Sequence, residues 1–523
     1  MKMKHPVPLS YSLVLIAGFL LGSSPAPAAP AADTSSSDGK KGSLTVGDQH
    51  SEIGIPTVKN PAAVHTSHPD AQWYPEAGLG LFLHWGISSV KAMNISWPMI
   101  PGKNLRSIRI SDPAVRERIV REKDFELKGK PWETTPNQYW AMTKDFNPGK
   151  YDPEKWCKAA KAAGFTYVVL TTRHHDGFAL WPSEFGDFST KHYMGGRDLV
   201  KPFVEACRNN GLKVGLYYSP PNWHFERDFK NFLSYAAQKN PEFPSLDADL
   251  KPRQNSKSPE EIARHHAAYD AMVRGQIEEL LTRYGKIDLI WFDGCQPTPH
   301  GPQSITADEI RKLQPGIVIN PRLHGTGDFT TYERDLKTNK IATTWAEFCN
   351  TWALLWTYDT RPFRANGFVL GELAISRSLG INYLLGIGPD RQGELHPAAY
   401  QNMEVLAGWM KKNSDAVHAV KPLPHGETAN VPATAKGRVR FLFAIPEFKK
   451  VAGLPGMPDN MLPLSDITLI LKGISQKPER ITFLGDGSEL PFEYSARTVT
   501  VKLPSAKRTK LVDVVEVALN PKK

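Results

Sequence analysis

Seven near-continuous apolar runs set the frame for this chain. They are "LGLFLHWG" ending at Gly86, "FTYVVLTTRHHDG" at Gly177, "LKVGLYYSP" at Pro220, "IDLIWFDG" at Gly294, "GIVINPR" at Arg322, "KIATTWAEF" at Phe348 and "GINYLLGIGPD" at Asp390. Strands buried on both faces of a parallel sheet read this way, because neither face meets water. Helix-like stretches lie between them. "DPEKWCKAAKAAG" opens on Asp152 as N-cap with Pro153 in the first turn, and stops at Gly164. "RDLVKPFVEACRNNG" begins after Asp198 and stops at Gly211, and "AAYDAMVRGQIEELLTRYG" stops at Gly285. This alternation predicts an α/β chain with a (β/α)8-like (TIM) barrel. No Gly-rich phosphate fingerprint follows the first run, which disfavours a doubly wound dinucleotide fold.

The pattern changes near residue 420. "GRVRFLFAIPEF", "DITLILKG", "RITFLGDG", "LPFEYSARTVTVKLP" and "VDVVEVAL" are short, alternating and turn-bounded. They predict a C-terminal antiparallel β-sandwich over 421–523, after a barrel domain over 61–420. Residues 1–32 have a basic start, an apolar run from Leu13 to Leu21 and small residues up to Ala32. The run is too short to span a bilayer and reads as a secretory signal peptide, so a periplasmic or extracellular location is expected. Residues 33–60 are polar and read as a linker. The stretch from Met99 to Gln138 is rich in Lys and Arg, and suits either a charged surface helix or a basic wall over the mouth of the barrel. The net charge of +10 comes without any basic-aromatic nucleic-acid motif, so no nucleic-acid partner is expected, and no later segment is apolar enough for a membrane span. Four widely spaced Cys, 157, 207, 295 and 349, lack a CxxC pattern and define neither a zinc knuckle nor a disulfide framework.

In such a barrel the C-terminal ends of the strands face one common mouth. Those ends carry His84 and Trp85, then His174, His175 and Asp176, then Tyr217 and Tyr218, then Trp291 and Asp293, then Arg322, and finally Trp345 and Glu347. So many polar and aromatic groups at one mouth exceed what packing asks for. In "DLIWFDG", Leu289, Trp291 and Asp293 share parity and should point inward. A carboxylate at the end of an apolar strand is costly unless it is paired or put to use. A second carboxylate would complete a glycosidase pair. The candidates are Glu333, in the loop expected after the fifth run, with Asp328 and Glu347 as rivals. A metal is not expected: adjacent His174 and His175 on a regular strand would point to opposite faces, and no HxH pair is present. No cofactor is expected.

Five stretches in this order, "GLGLFLHWGISSV", "AGFTYVVLTTRHHDGFALWPS", "GLKVGLYYSPPNW", "YGKIDLIWFDG" and "LLGIGPDRQGEL", resemble the family 29 glycoside hydrolases, the retaining α-L-fucosidases. The resemblance runs from about Trp73 to Ala419. It implies an exo-acting double displacement on a terminal α-L-fucosyl residue, with Asp293 as nucleophile and Glu333 as acid/base. It further implies fucose contacts from His84, His174, His175, Tyr218 and Arg322, with Trp97 and Trp356 as aromatic neighbours; Trp291, on the strand that ends in Asp293, is a further substrate-binding candidate. The family usually shows Glu-Trp where Ser96 precedes Trp97 here. That departure leaves room for a sulfated or L-galacto glycone, or for a carbohydrate-binding protein without turnover.

Overall fold

The computed structural model describes residues 65–100, 134–234, 238, 243–254, 256–294, 304–322, 327–336, 338–450 and 455–520. The expected signal peptide, the linker and the basic stretch over 101–133 lie outside these residues. Eight parallel strands form one sheet: β1 (Leu79–Leu83), β2 (Tyr167–Arg173), β3 (Lys213–Tyr218), β4 (Leu289–Phe292), β5 (Val318–Ile319), β6 (Phe329–Glu333), β7 (Trp345–Thr351) and β8 (Asn382–Ile387). Their spatial order is β5-β4-β3-β2-β1-β8-β7-β6, the cyclic order of a (β/α) barrel. The seam falls between β5 and β6, where Asp328 stitches it. Its backbone N–H donates to the Ile319 carbonyl (2.8 Å), and its carboxylate accepts from the Ile319 N–H (2.7 Å) and from Arg311 (2.7 Å).

Each of the seven apolar runs contains a strand. β6 is the addition. Its sequence, FTTYE, is only partly buried, so it carries no apolar run to announce it. The first two helices start and stop where the sequence predicts, whereas the third begins at Pro259, ahead of the expected Ala267. Helix α1 (Pro153–Ala162) is capped by Asp152, whose side chain accepts from the Lys155 N–H. Helix α2 (Val200–Asn209) follows Asp198, which accepts from the N–H groups of Val200 and Lys201. Helix α3 (Pro259–Thr282) opens on a capping box of Ser258 and Glu261. Among the described residues no helix is long and apolar enough to cross a membrane.

Parity splits the barrel strands between two cores. Phe82, Val169, Tyr217, Leu289, Trp291, Phe329, Trp345 and Leu384 fill the interior. Leu81, Leu83, Val168, Leu170, Leu216, Ile290 and Phe348 pack outward under the helices. Gly80 shows what the interior demands: a Cβ there would come within 2.2 Å of the Tyr167 ring. Without a side chain at 80, Tyr167 can cross the barrel and reach Glu347 (2.7 Å).

The C-terminal strands form two antiparallel sheets. In the five-stranded sheet, β9 (Val439–Ala444) lies between β10 (Asp513–Ala518) and β11 (Ala433–Lys436). Alternate β9 residues serve different cores. Leu442 and Ala444 face the second sheet with Leu469, Leu471, Val499 and Val501, whereas Phe441 and Phe443 join the core beneath the barrel helices. This double burial makes β9 apolar on both faces.

Candidate active site

The site is built from strand ends. β2 stops at Arg173, and the chain then turns, with the Gly177 N–H bonded to the His174 carbonyl (3.0 Å). Gly177 has φ +92°, and a Cβ there would collide with Asn222, so this turn depends on glycine. The turn overturns the parity argument made for the two histidines. Period-two alternation ends with the strand, and both imidazoles face one carboxylate. His174 Nε2 lies 3.8 Å and His175 Nε2 3.7 Å from Asp293 Oδ2.

Small hydroxyls hold these rings from behind. Ser96 Oγ is 2.6 Å from His174 Nδ1, and it also donates to Asp176 Oδ2 (3.1 Å). Ser219 Oγ is 2.5 Å from His175 Nδ1. Asp176 accepts further bonds from the Tyr139 hydroxyl (3.1 Å) and the Phe178 N–H (2.9 Å). Burial raises its pKa, and these donors work against the rise. Asp176 therefore fixes the turn and does not reach into the cavity.

Asp293, one residue past the end of β4, is the centre of the arrangement. Its Oδ2 accepts from the Tyr217 hydroxyl (2.5 Å) and its Oδ1 from Arg322 Nη1 (2.8 Å). Arg322 Nη2 donates to Glu333 Oε2 (2.6 Å), so one guanidinium spans both carboxylates. Burial opposes the charge of Arg322, yet Glu333 and then Asp293 more than offset it, and its pKa rises. Trp291 lies beneath the guanidinium (4.8 Å) and stacks on Tyr217 (5.5 Å, 14° between planes). His84 sits beside Trp356 (5.1 Å), and burial, then His174, drives its pKa well down, so its imidazole is neutral.

These groups line one cavity at the mouth of the barrel. His84, Trp97, His174, Trp291, Asp293, Arg322, Glu333 and Trp356 all line it. His175 lies behind, edge-on to Trp97 (5.5 Å). Tyr218 is a correction. Its hydroxyl donates to Gln276 (3.1 Å) and its ring lies under Arg173 (4.2 Å), on the helix side of the sheet. Neighbours on a strand face opposite ways, and Tyr217 takes the inward place. The inward parity of Leu289 and Trp291, carried across the β3–β4 register to Gly215 and Tyr217, points to it. Glu333 is also relocated: it is the last residue of β6 and not part of a loop.

The two rival carboxylates have other partners. Asp328 closes the barrel seam. Glu347 is fully buried below the cavity and accepts from Tyr74 (3.1 Å), Tyr167 (2.7 Å) and Trp291 Nε1 (2.9 Å). Burial raises its pKa, with these three donors acting in opposition. Sequence reasoning also passed over Phe82, Ile95 and Cys349 in the cavity wall. All three look like ordinary core residues until the strand ends are placed.

A family model described as "Alpha-L-fucosidase" matches residues 50–415. The chain belongs to the α-L-fucosidase family. Among curated members, the tissue α-L-fucosidase of Bos taurus is 27% identical over 392 residues, spanning 71% of this chain and 74% of that one. The tissue α-L-fucosidase of Rattus norvegicus is 27% identical over 376 residues, spanning 68% and 71%. Among solved structures, α-L-fucosidase isoenzyme 1 from Paenibacillus thiaminolyticus superposes with a TM-score of 0.64 at 26% identity, covering 87% of this chain and 99% of its own. The Thermotoga maritima α-fucosidase, at 22% identity and TM-score 0.59, shares the fold. This member of the α-L-fucosidase family thus carries a barrel and sandwich like those of its solved relatives.

Proposed function

We propose that this chain is an exo-acting retaining α-L-fucosidase. The observation that carries the reading is the pair of carboxylates, Asp293 and Glu333, held by one guanidinium in the cavity at the barrel mouth. A single planar fork bridging both groups favours the short carboxylate separation of retaining enzymes.

In this reading Asp293 attacks the anomeric carbon while Glu333 protonates the departing oxygen. A glycosyl–Asp293 ester forms and the aglycone leaves. Glu333, now ionised, takes a proton from water, which attacks the ester and releases the sugar with its configuration retained. Arg322 and Tyr217 hold Asp293 oriented for attack. His84 and His174 offer ring nitrogens to sugar hydroxyls, with His175 alongside. Phe82, Ile95 and Trp356 supply an apolar wall for the face of the sugar that lacks hydroxyls. The basic start and short apolar run of residues 1–32 support release of the enzyme to the periplasm or exterior.

The test is a panel of aryl glycosides of L-fuco, L-galacto and D-arabino type, with the product anomer followed by NMR. The expected result is cleavage of the α-L-fucoside with initial release of the α-anomer, abolished in Asp293→Ala. Near-normal turnover by Asp293→Ala, or initial β-anomer, overturns the assignment.

A further inference from the structure

The turn after β2 gathers a second kind of chemistry. Among the described residues, His174, His175 and Asp293 present three ligand atoms that all lie within 4.8 Å of one another. The two Nε2–Oδ2 distances are 3.8 and 3.7 Å. Ligands at about 2.0–2.1 Å from one tetrahedral zinc sit roughly 3.3–3.4 Å apart, so small side-chain rotations would close these three on a common centre.

Three features favour an ion there. Each imidazole has its Nδ1 on a serine hydroxyl, Ser96 for His174 and Ser219 for His175, which turns each Nε2 toward the carboxylate. Histidines that bind metals are oriented in this way through their other ring nitrogen. Secondly, two carboxylates stand at the site, Asp293 and Glu333, bridged by Arg322. Thirdly, all three groups are buried, so an ion held by them is shielded from bulk water. Two imidazoles and one carboxylate suit zinc or its neighbours and not magnesium or calcium.

We propose that His174, His175 and Asp293 form a binding site for a divalent transition ion of the zinc type, which occupies the cavity in competition with the glycone. Coordination removes the Asp293 lone pair that would attack the anomeric carbon, so the ion inhibits. The binding claim stands on the geometry alone. Only the competition rests on the proposed function.

The probes are Zn²⁺ and Co²⁺, titrated into full-length, tag-free, chelator-stripped protein. Calorimetry should show one Zn²⁺ per chain, and Co²⁺ should give the intense visible bands of a tetrahedral site. His174→Ala and His175→Ala should each weaken binding by at least about 10-fold, and Ser219→Ala by about 10-fold through loss of ring orientation. Zn²⁺ should inhibit cleavage of an aryl fucoside competitively, with full recovery on adding EDTA. No binding at millimolar Zn²⁺, equal affinity for Mg²⁺, or unchanged affinity in both histidine variants overturns the site. Should either histidine variant fail to fold, Ser219→Ala and the Co²⁺ spectrum decide, and a weak octahedral spectrum counts against the proposal. Binding without any fucosidase activity would retain the metal site and refute the proposed function. Activity with non-competitive inhibition would refute the shared cavity.

Discussion

Sequence alone leaves Glu333 and Glu347 as rivals, and two substitutions separate them. Glu347 is fully buried and accepts three hydrogen bonds, from Tyr74, Tyr167 and Trp291. A bond to an ionised acceptor contributes about 1.5–3 kcal/mol, against about 0.5–1.5 kcal/mol for a neutral one. Glu347→Gln therefore costs up to roughly 1 kcal/mol per bond, or about 3 kcal/mol at most, with the full cost falling where the carboxyl is ionised. The new amide must keep its oxygen for the Trp291 Nε1–H, which has no lone pair, and reverse the bonds to the two tyrosine hydroxyls, which can accept. That is a large part of the roughly 5–15 kcal/mol that holds an ordinary domain together. Glu333, by contrast, has its bond to Arg322 at the cavity, and Arg322 keeps Asp293 when Glu333 is removed. Glu333→Ala should leave the urea midpoint close to wild type. Its kcat/KM on fucosides with poor leaving groups should fall by about 10²–10⁴-fold, the usual contribution of a general acid.

The assay pairs urea unfolding with turnover of aryl fucosides of graded leaving-group acidity, with and without azide. Azide needs no general base, so it should rescue Glu333→Ala on an activated substrate and form a fucosyl azide. It should do nothing for Glu347→Gln, whose defect is in the fold. Azide rescue at Glu347 with none at Glu333, or a Glu347→Gln protein as stable as wild type, would show that the buried-anchor reasoning is wrong.

Tyr217 and Tyr218 give a matched contrast. Tyr217→Phe removes the hydroxyl that holds Asp293, and loss of a charge-assisted bond of about 1.5–3 kcal/mol predicts a roughly 10- to 100-fold fall in kcat/KM. Tyr218→Phe, facing Gln276, should keep near-normal kinetics and lose about 1 kcal/mol of stability; equal kinetic damage in both would contradict the inward placement of Tyr217. His84 links the site to pH. Its folded pKa lies well below the unfolded value of about 6.5, so the unfolded chain binds the extra proton and stability falls as pH drops below that value. The slope is at most about 1.4 kcal/mol per pH unit, and His84→Asn should remove it in urea titrations between pH 6.5 and 5; an unchanged slope would place the neutral imidazole elsewhere.

What the sequence discloses and what it conceals divide along one physical line. Long strands buried on both faces have a signature that needs no tertiary knowledge, so β1 to β4, β7 and β8 can be read directly. β6 cannot, because Thr330, Thr331 and Glu333 are only partly buried and, among the described residues, its strand pairing is with β7. Within a strand, parity works: Leu289 and Trp291 are inward as the pattern of β4 requires. It stops working where the strand stops. His174 and His175 lie just past Arg173, and a turn stabilised by Ser96, Asp176 and Gly177 brings them to the same side. None of those contacts is local enough to be seen as a pattern, since Ser96 lies 78 residues from His174. Ser96 also changes meaning once it is placed. Read as a departure from a family Glu, it suggests a lost sugar contact; in the fold it is the group that fixes a histidine ring and the Asp176 turn together. Functional side chains occupy strand ends because there the barrel core gives way to a solvent-facing mouth. The same transition ends the periodicity that would locate them, so a barrel's chemistry is hardest to read where its chemistry is done.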